Sequence, residues 1–111
     1  MEEVVYDTNQ LINFLKKGKQ DVKGFTTIFN IIEFPKALDL KELAVIYPTL
    51  DDYNESLKIS AALLRKGIPL PAVDVMIAAV CLRRDLTLCT MDNHFSNIKA
   101  VRNAFKLELT K

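Results

Sequence analysis

Short β-prone runs alternate with helical segments along the 111 residues of this chain, and this alternation limits the possible folds more than any other feature. Parallel neighbouring strands need a crossover connection of about a dozen residues or more, usually a helix. The alternation therefore predicts a three-layer α/β/α fold with a central, mainly parallel sheet and helices on both faces. A chain of this length is expected to have one hydrophobic core, so residues 1–111 are interpreted as a single domain.

Local signals place the elements of this pattern. Strands are predicted at 4–6, 25–27, 86–90 and 105–109, and helices at 9–17, 28–33, 51–66, 73–84 and 97–104. Residues 36–48 carry two competing signals, a turn of helix and an extended run at 44–47 before Pro48. On the helix at 51–66, the predicted apolar stripe consists of Tyr53, Leu57, Ala61 and Leu64.

Composition excludes several classes of protein. The 15 basic and 14 acidic residues give a net charge of +1, which is too balanced to indicate nucleic-acid binding by itself. The two cysteines, Cys81 and Cys89, form no CxxC pair and are expected in the core, so zinc fingers and disulfide scaffolds are excluded. The chain has no apolar run of about 20 residues, and its acidic start at 1–3 is unlike a secretory signal, which predicts a cytoplasmic protein with no membrane partner. Nucleotide-binding glycine loops are absent from the sequence.

Four acidic residues lie where a ligand site is expected. Asp7 and Asp92 follow predicted strands, Glu33 lies in the helix after the second strand, and Asp74 lies in the first turn of a buried helix. Ligands of open α/β sheets bind outside the carboxyl ends of the strands. Carboxylates gathered there repel each other unless a cation neutralises them, and Mg²⁺ or Mn²⁺ prefers such oxygen ligands. Activation of water by such an ion suits phosphodiester hydrolysis.

Each acid also has a simpler interpretation. A single aspartate after a strand is more often a helix cap or a solvated turn residue, and Asp74 could cap its own helix. Glu33 is more strongly expected to be functional, because apolar side chains flank it and a buried charge is costly unless paired. His94, the only histidine, lies in a loop and is expected to be a surface or capping residue.

Taken in order, four motifs resemble those of the PIN-domain ribonucleases, especially the VapC-like toxins of prokaryotic toxin–antitoxin pairs. They are VYDTN at 5–9, TIFNIIE at 27–33, DVMIAA at 74–79 and LCTMDNHF at 88–95, so the resemblance spans nearly the whole chain. It implies a catalytic metal site for Mg²⁺ or Mn²⁺ built by Asp7, Glu33, Asp74 and Asp92. It also implies supporting roles for Thr8, Asn9 and Thr90.

The resemblance further implies a PIN-like fold and a metal-dependent endoribonuclease that hydrolyses RNA phosphodiesters, acts as the toxin of a type II pair, binds a cognate antitoxin and forms a homodimer. Neutralising four of the 14 acids against 15 basic residues leaves a charge of +5, which suits an RNA partner. Two alternatives stay open: a PIN nuclease of RNA processing, and a catalytically silent PIN-like interaction module. The silent module is considered because Glu33 and Asp74 lie only 41 positions apart, which is shorter than usual in the family.

Overall fold

A computed structural model describes residues 3–111, in which five strands form one parallel sheet. Met1 and Glu2, and with them most of the acidic start of the chain, lie outside the described residues. The strands are β1 (Val4–Tyr6), β2 (Gly24–Thr27), β3 (Leu43–Ile46), β4 (Thr87–Thr90) and β5 (Lys106–Leu109). The α-helices are α1 (Thr8–Lys16), α2 (Ile28–Glu33), α3 (Leu50–Arg65), α4 (Ala72–Arg83) and α5 (Ser96–Lys99).

The strand order is β3-β2-β1-β4-β5, with β1 at the centre of the sheet. Val5 of β1 pairs with Phe25 of β2 on one side and with Leu88 of β4 on the other, all in parallel. Along the chain, β2 and β3 are therefore added on one side of β1, and β4 and β5 are then added on its other side. This reversal creates a topological switch point at the carboxyl ends of β1 and β4, where open α/β sheets bind their ligands.

Two hydrophobic clusters cover the two faces of the sheet. Val5 and Leu88 belong to one cluster with residues such as Leu63 of α3 and Val75 of α4. On the opposite face, Leu11 of α1 belongs to a second cluster with residues of α2 and the following segment. Helices thus cover both faces of a parallel sheet, and the predicted three-layer α/β/α fold is confirmed.

Polar caps fix where the helices begin. Thr27 and Asn30 form a reciprocal capping box at the start of α2, and Thr49 and Asp52 form another at the start of α3. Before Pro35, α2 ends, and a short 3-10 helix at Pro35–Asp39 leads into β3. Both signals in residues 36–48 therefore have a structural counterpart, a helical turn first and an extended strand second.

The predicted apolar stripe of α3 is wrong as a core-facing surface. Tyr53, Leu57 and Leu64 are exposed, and Ala61 is half-buried. The buried residues of α3 are Asp52, Ser56, Ile59 and Leu63. Both sides of α3 carry apolar residues, so spacing alone cannot select the inward side, and an aspartate occupies one of the inward positions.

The last predicted helix, at 97–104, is also wrong in length. After a 3-10 turn at Asn93–Phe95, α5 covers only Ser96–Lys99. Turns then close through bonds from the Arg102 amide to the Ile98 carbonyl and from the Phe105 amide to the Arg102 carbonyl, and these turns lead directly into β5. Within residues 3–111, no helix has both the length and the apolar character needed to cross a membrane.

Candidate carboxylate site

Asp7 lies at the junction of β1 and α1, at the switch point of the sheet, and is only 9% exposed. Its Oδ1 accepts hydrogen bonds from the Thr8 amide at 2.9 Å and from Asn30 Nδ2 at 2.8 Å. Its Oδ2 accepts from the Thr90 hydroxyl at 2.7 Å. Asp7 is therefore both the N-cap of α1 and a carboxylate oriented by side chains from two other elements, so the two interpretations of this residue are compatible.

Asn30 is a site residue that the sequence did not single out. It is fully buried, and its Nδ2 also donates to the Thr8 hydroxyl at 3.0 Å. Its Oδ1 accepts from the Thr27 hydroxyl at 2.6 Å, within the capping box of α2. A polar residue at the third helical position of an otherwise apolar helix is the signal that could have identified it.

Glu33 lies at the last position of α2 and reaches the site through Thr8. Its Oε1 accepts a hydrogen bond from the Thr8 hydroxyl at 3.0 Å. The expectation that Glu33 is itself buried is wrong, because Glu33 is exposed and the adjacent Ile32 is 69% exposed, although Ile31 is buried. The short helix α2 turns this part of its surface to solvent, so the carboxylate stays hydrated beside Thr8.

His94 joins two of the predicted acids. Its Nε2 lies 2.8 Å from Asp74 Oδ2, and its Nδ1 lies 2.6 Å from Asp92 Oδ1. With both carboxylates ionised, each ring nitrogen makes its hydrogen bond as the donor. His94 is partly exposed, as the sequence suggests, but it also bridges two of the predicted acids, which the sequence did not predict. Asp74 lies 20 positions earlier in the chain, and only the fold brings it to the ring.

The electrostatics connect Asp74 to the other acids. Burial raises the pKa of the Asp74 carboxyl above its usual value, and the nearby charges of Asp7 and Asp92 raise it further. The hydrogen bond and the charge of His94 oppose this shift of the pKa. Asp7, Asp74 and Asp92 therefore act on one another through the same local field.

The three supporting residues of the resemblance lie in the same network. Thr90 is fully buried, and besides donating to Asp7 its hydroxyl accepts from the Asp92 amide at 3.0 Å. Asn9 Nδ2 donates to the Thr90 hydroxyl at 3.5 Å, and Asn9 Oδ1 accepts from the amide of Met91. These contacts, together with that of Thr8 with Glu33, link the start of α1 to the end of β4.

The cysteines have no part in this network of acids. Both are buried, as predicted. Burial raises the pKa of the Cys81 thiol, and burial together with the nearby Glu108 and Asp7 raises that of Cys89 to about 11. Both side chains therefore remain protonated thiols near neutral pH and are unsuited to nucleophilic chemistry.

The donor types at this site suit a hard divalent cation. Asp7, Glu33, Asp74 and Asp92 offer only carboxylate oxygens, and the repulsion recorded at Asp74 is what a cation would relieve. Within the described range 3–111, however, no three His, Cys, Asp or Glu side chains converge closely enough to hold a metal ion. Both oxygens of Asp7 already accept hydrogen bonds from Asn30 and Thr90.

The fold and the site define a small parallel α/β/α protein with carboxylates at its switch point. The chain belongs to the PIN-domain family, whose model matches residues 30–101. That stretch contains Glu33, Asp74 and Asp92, and Asp7 lies before it. A search of curated proteins gives no match to this sequence.

Solved structures share the fold at low sequence identity. One is VapBC2 from Rickettsia felis bound to a DNA fragment from their promoter, with a TM-score of 0.78 and 17% identity, covering 96% of this chain and 97% of that one. Another is DNA-bound VapBC from Salmonella typhimurium, with a TM-score of 0.78 and 20% identity, covering 97% and 98%. A toxin–antitoxin complex from Klebsiella pneumoniae gives a TM-score of 0.64 and 16% identity, covering 95% of each chain. These matches extend the fold likeness over nearly the whole chain.

Proposed function

We propose that this single-domain chain is a metal-dependent endoribonuclease that hydrolyses RNA phosphodiesters with Mg²⁺ or Mn²⁺. The observation that carries the proposal is the network that links four carboxylates, from four separate segments of the chain, near the carboxyl ends of β1 and β4. Membership of the PIN-domain family, whose members are nucleases, supports the reaction class. The four catalytic and metal-binding residues in this proposal are Asp7, Glu33, Asp74 and Asp92.

Neighbouring side chains hold the four acids in position. Thr90 and Asn30 hold the two oxygens of Asp7, while Thr8 holds Glu33 at the edge of the site. The two ring nitrogens of His94 hold Asp74 and Asp92, with Nε2 at Asp74 and Nδ1 at Asp92. When bound, a divalent cation would be held by these four acids, would supply positive charge beside a phosphodiester and would make water more acidic. By holding the acids in place, the positioning residues would orient an in-line attack on the phosphodiester.

We further propose that the protein is the toxin of a type II toxin–antitoxin pair and acts in the cytoplasm. The fold likeness to chains of VapBC and other toxin–antitoxin complexes supports this role. Expression of the chain alone is expected to arrest growth, and co-expression with a cognate antitoxin is expected to restore growth. Cleavage of RNA with no such inhibitor would favour a PIN nuclease of RNA processing instead.

We propose a homodimer through the exposed side of α3. Leu50, Tyr53, Leu57 and Leu64 recur at spacings of three, four and seven residues along this helix, and all four are exposed. Such spacing places them along one side of an α-helix. A contiguous apolar patch on a monomer is typical of an interaction surface, and a second copy would bury the same patch on both partners.

The test of the nuclease is cleavage of a mixed RNA pool by purified protein. We expect cleavage with Mg²⁺ or Mn²⁺, none with EDTA, and none by the folded Asp7→Asn variant, because that change removes one negative charge from the site. The matched control is Asp39→Asn, since Asp39 is exposed and outside the network, and this variant should cleave normally.

Two outcomes would contradict the nuclease. Metal-dependent cleavage by folded Asp7→Asn at the wild-type rate would remove Asp7 from the site. Absence of cleavage by folded wild-type protein across a mixed pool with either metal would favour the silent PIN-like interaction module.

A further inference from the structure

A cavity lies beside the far end of α1, away from the carboxylates. It has a volume of about 390 Å³ and is lined by Tyr6, Phe14, Lys19, Asp21, Val22 and Lys23. We name it the basic–aromatic pocket. The loop that connects α1 to β2 contributes most of its lining. This loop lies at the amino end of β2, whereas Asp7 lies at the carboxyl end of β1.

The aromatic wall of this pocket has a defined geometry. The rings of Tyr6 and Phe14 meet edge to face, with centroids 5.0 Å apart and planes at 85°. The Tyr6 ring lies so close to Gly24 that a Cβ atom there would come within 3.0 Å of it. Glycine at the start of β2 therefore leaves room for this ring, and the wall is fixed by the backbone beneath it.

The pocket also carries uncompensated positive charge. Lys19 Nζ lies 5.7 Å from the centroid of Phe14, which is cation–π distance. Lys16, Lys17 and Lys23 are exposed in the same segment, against the single acid Asp21. In the described part of the chain, none of these lysines forms an ion pair, whereas Arg83, Arg84, Arg102 and Lys106 all do.

We propose that the basic–aromatic pocket binds a nucleotide of single-stranded RNA on one side of the cleavage site. Proteins bind single strands by combining cations that follow the phosphates with aromatic rings on which bases stack. Lys19 and Lys23 supply the first component, and the ring of Phe14 supplies the second. The inference rests on the proposed function, since it takes RNA as the substrate.

The position of the pocket relative to the acids suits one continuous strand. Tyr6 lines the pocket and directly precedes Asp7 in the chain. The nine residues of α1 separate the two sites by about 13 Å along the helix axis. A strand with one phosphate at the acids therefore reaches the pocket a few nucleotides away.

The test is the affinity of a single-stranded RNA oligonucleotide, measured by fluorescence anisotropy in EDTA so that no cleavage occurs. We expect Lys19→Ala/Lys23→Ala to weaken binding at least tenfold. In this double variant, the slope of log K against log salt concentration should also become shallower by about 1.4, because two phosphate contacts to a single strand are lost. The matched control, Lys58→Ala/Lys66→Ala, removes two exposed lysines, Lys58 in α3 and Lys66 directly after it, and should bind as the wild type does.

Two further variants separate charge from stacking. Phe14→Leu keeps an apolar side chain but removes the ring, so it should weaken binding by about tenfold with an unchanged salt slope. Asp21→Asn removes the one acid among the pocket's lining residues in the described range 3–111, so it should tighten binding and steepen the salt slope. A general loss of structure would not make RNA affinity rise in Asp21→Asn and fall in the double lysine variant.

Failure of the pocket and failure of the nuclease give different results. If the lysine variant and Phe14→Leu bind RNA as tightly as the wild type, the pocket is overturned, even where cleavage at the acids is normal. If these variants keep RNA binding but lose binding to a protein inhibitor, the pocket serves that partner and the inference is also overturned. If binding depends on the pocket but the wild type cleaves nothing with either metal, the pocket is supported and the nuclease is not.

Discussion

At the scale of single residues, Thr90 connects the two strands that define the switch point. Its buried hydroxyl donates to Asp7 and accepts from the amide of Asp92. Thr90→Val keeps the shape of the side chain but leaves Asp7 Oδ2 without this donor. We expect the free energy of unfolding to fall by about 2 kcal/mol, the usual range for a hydrogen bond to a charged group, and RNA cleavage to slow.

Chemical denaturation of metal-free protein measures this loss. Thr87→Val is the matched control, since Thr87 lies at the amino end of the same strand, away from the site, and is only half-buried. A loss of stability no greater for Thr90→Val than for Thr87→Val would contradict the role assigned to the Thr90 hydroxyl.

His94 gives a second prediction, about the titration of Asp74. Burial and the charges of Asp7 and Asp92 raise the pKa of Asp74, and His94 opposes them. His94→Ala removes that opposition, so the pKa of Asp74 should rise further. Carboxyl-carbon NMR of metal-free protein measures it, with Asn93→Ala as the control. An unchanged titration of Asp74 in His94→Ala would show that the ring does not act on this carboxylate.

The four acids could be selected as candidates from sequence because their type and their positions near strand ends or a helix start are local features. His94 and Asn30 could not be predicted in the same way. A lone histidine in a loop and an asparagine in a short helix have common structural roles, and only the tertiary fold shows their partners, 20 and 23 positions away. The argument for Glu33 from burial does not hold, because apolar neighbours in sequence are not evidence of burial.

At the scale of elements, one buried carboxylate joins α3 to α4. Asp52 is 1% exposed, and its two oxygens accept from Arg83 at 2.8 Å and from Arg84 at 2.9 Å. Burial alone would raise the pKa of Asp52, but the hydrogen bonds from Arg84, the Thr49 amide and Arg83 outweigh it and hold the pKa well below its usual value of 3.8. The charged form therefore stabilises the fold.

The sign of the pH dependence follows from this lowered pKa. The stabilisation by Asp52 is fully present above its unfolded pKa, near 3.8, and is lost as the pH falls below it toward the folded value. Asp52→Asn should lower the free energy of unfolding at pH 7 by about 2–3 kcal/mol. This is below the usual loss for a broken buried pair, because both arginines are partly exposed.

Denaturation between pH 2 and 7 measures both effects, and the variant should show a shallower loss of stability below pH 4 than the wild type does. Asp51→Asn is the matched control, since Asp51 is 77% exposed and lies 3.6 Å from Arg83, so its change should be within about 1 kcal/mol. Equal effects of Asp51→Asn and Asp52→Asn would contradict the buried link between α3 and α4.

The order of strands and helices was largely predictable because hydrophobic period, caps and breakers are local. The inward side of α3 was not, since the burial of Asp52 depends on two arginines more than 30 positions away. The early end of α5 was not predicted either. Its turns form where the chain must change direction to pair β5 with β4, which is a constraint of the sheet.

At the scale of the whole molecule, the exposed side of α3 tests the proposed homodimer. Leu57 is 72% exposed, and Leu57→Glu should convert a dimer into a monomer because it places charge in the apolar contact. Leu38→Glu is the matched control, since Leu38 is 65% exposed on the 3-10 helix after α2. Light scattering across a concentration series measures the mass, and a monomeric wild type would contradict the dimer.

The parallel topology gives the whole chain its candidate site, because the reversal between β1 and β4 brings distant motifs to one edge of the sheet. The PIN fold was predictable from the alternation and the four motifs taken together. The basic–aromatic pocket was not, since it combines Tyr6 and Phe14 with a loop that has no regular pattern.

The most direct test of the proposed metal site is the binding of Mn²⁺ to purified metal-free protein. Isothermal titration calorimetry and electron paramagnetic resonance measure this binding. We predict that wild type and Asp39→Asn bind the ion alike and that folded Asp7→Asn binds it at least tenfold more weakly. Equal binding of Mn²⁺ by wild type and Asp7→Asn, or no binding by the wild type, would contradict a divalent-cation site built on these four acids.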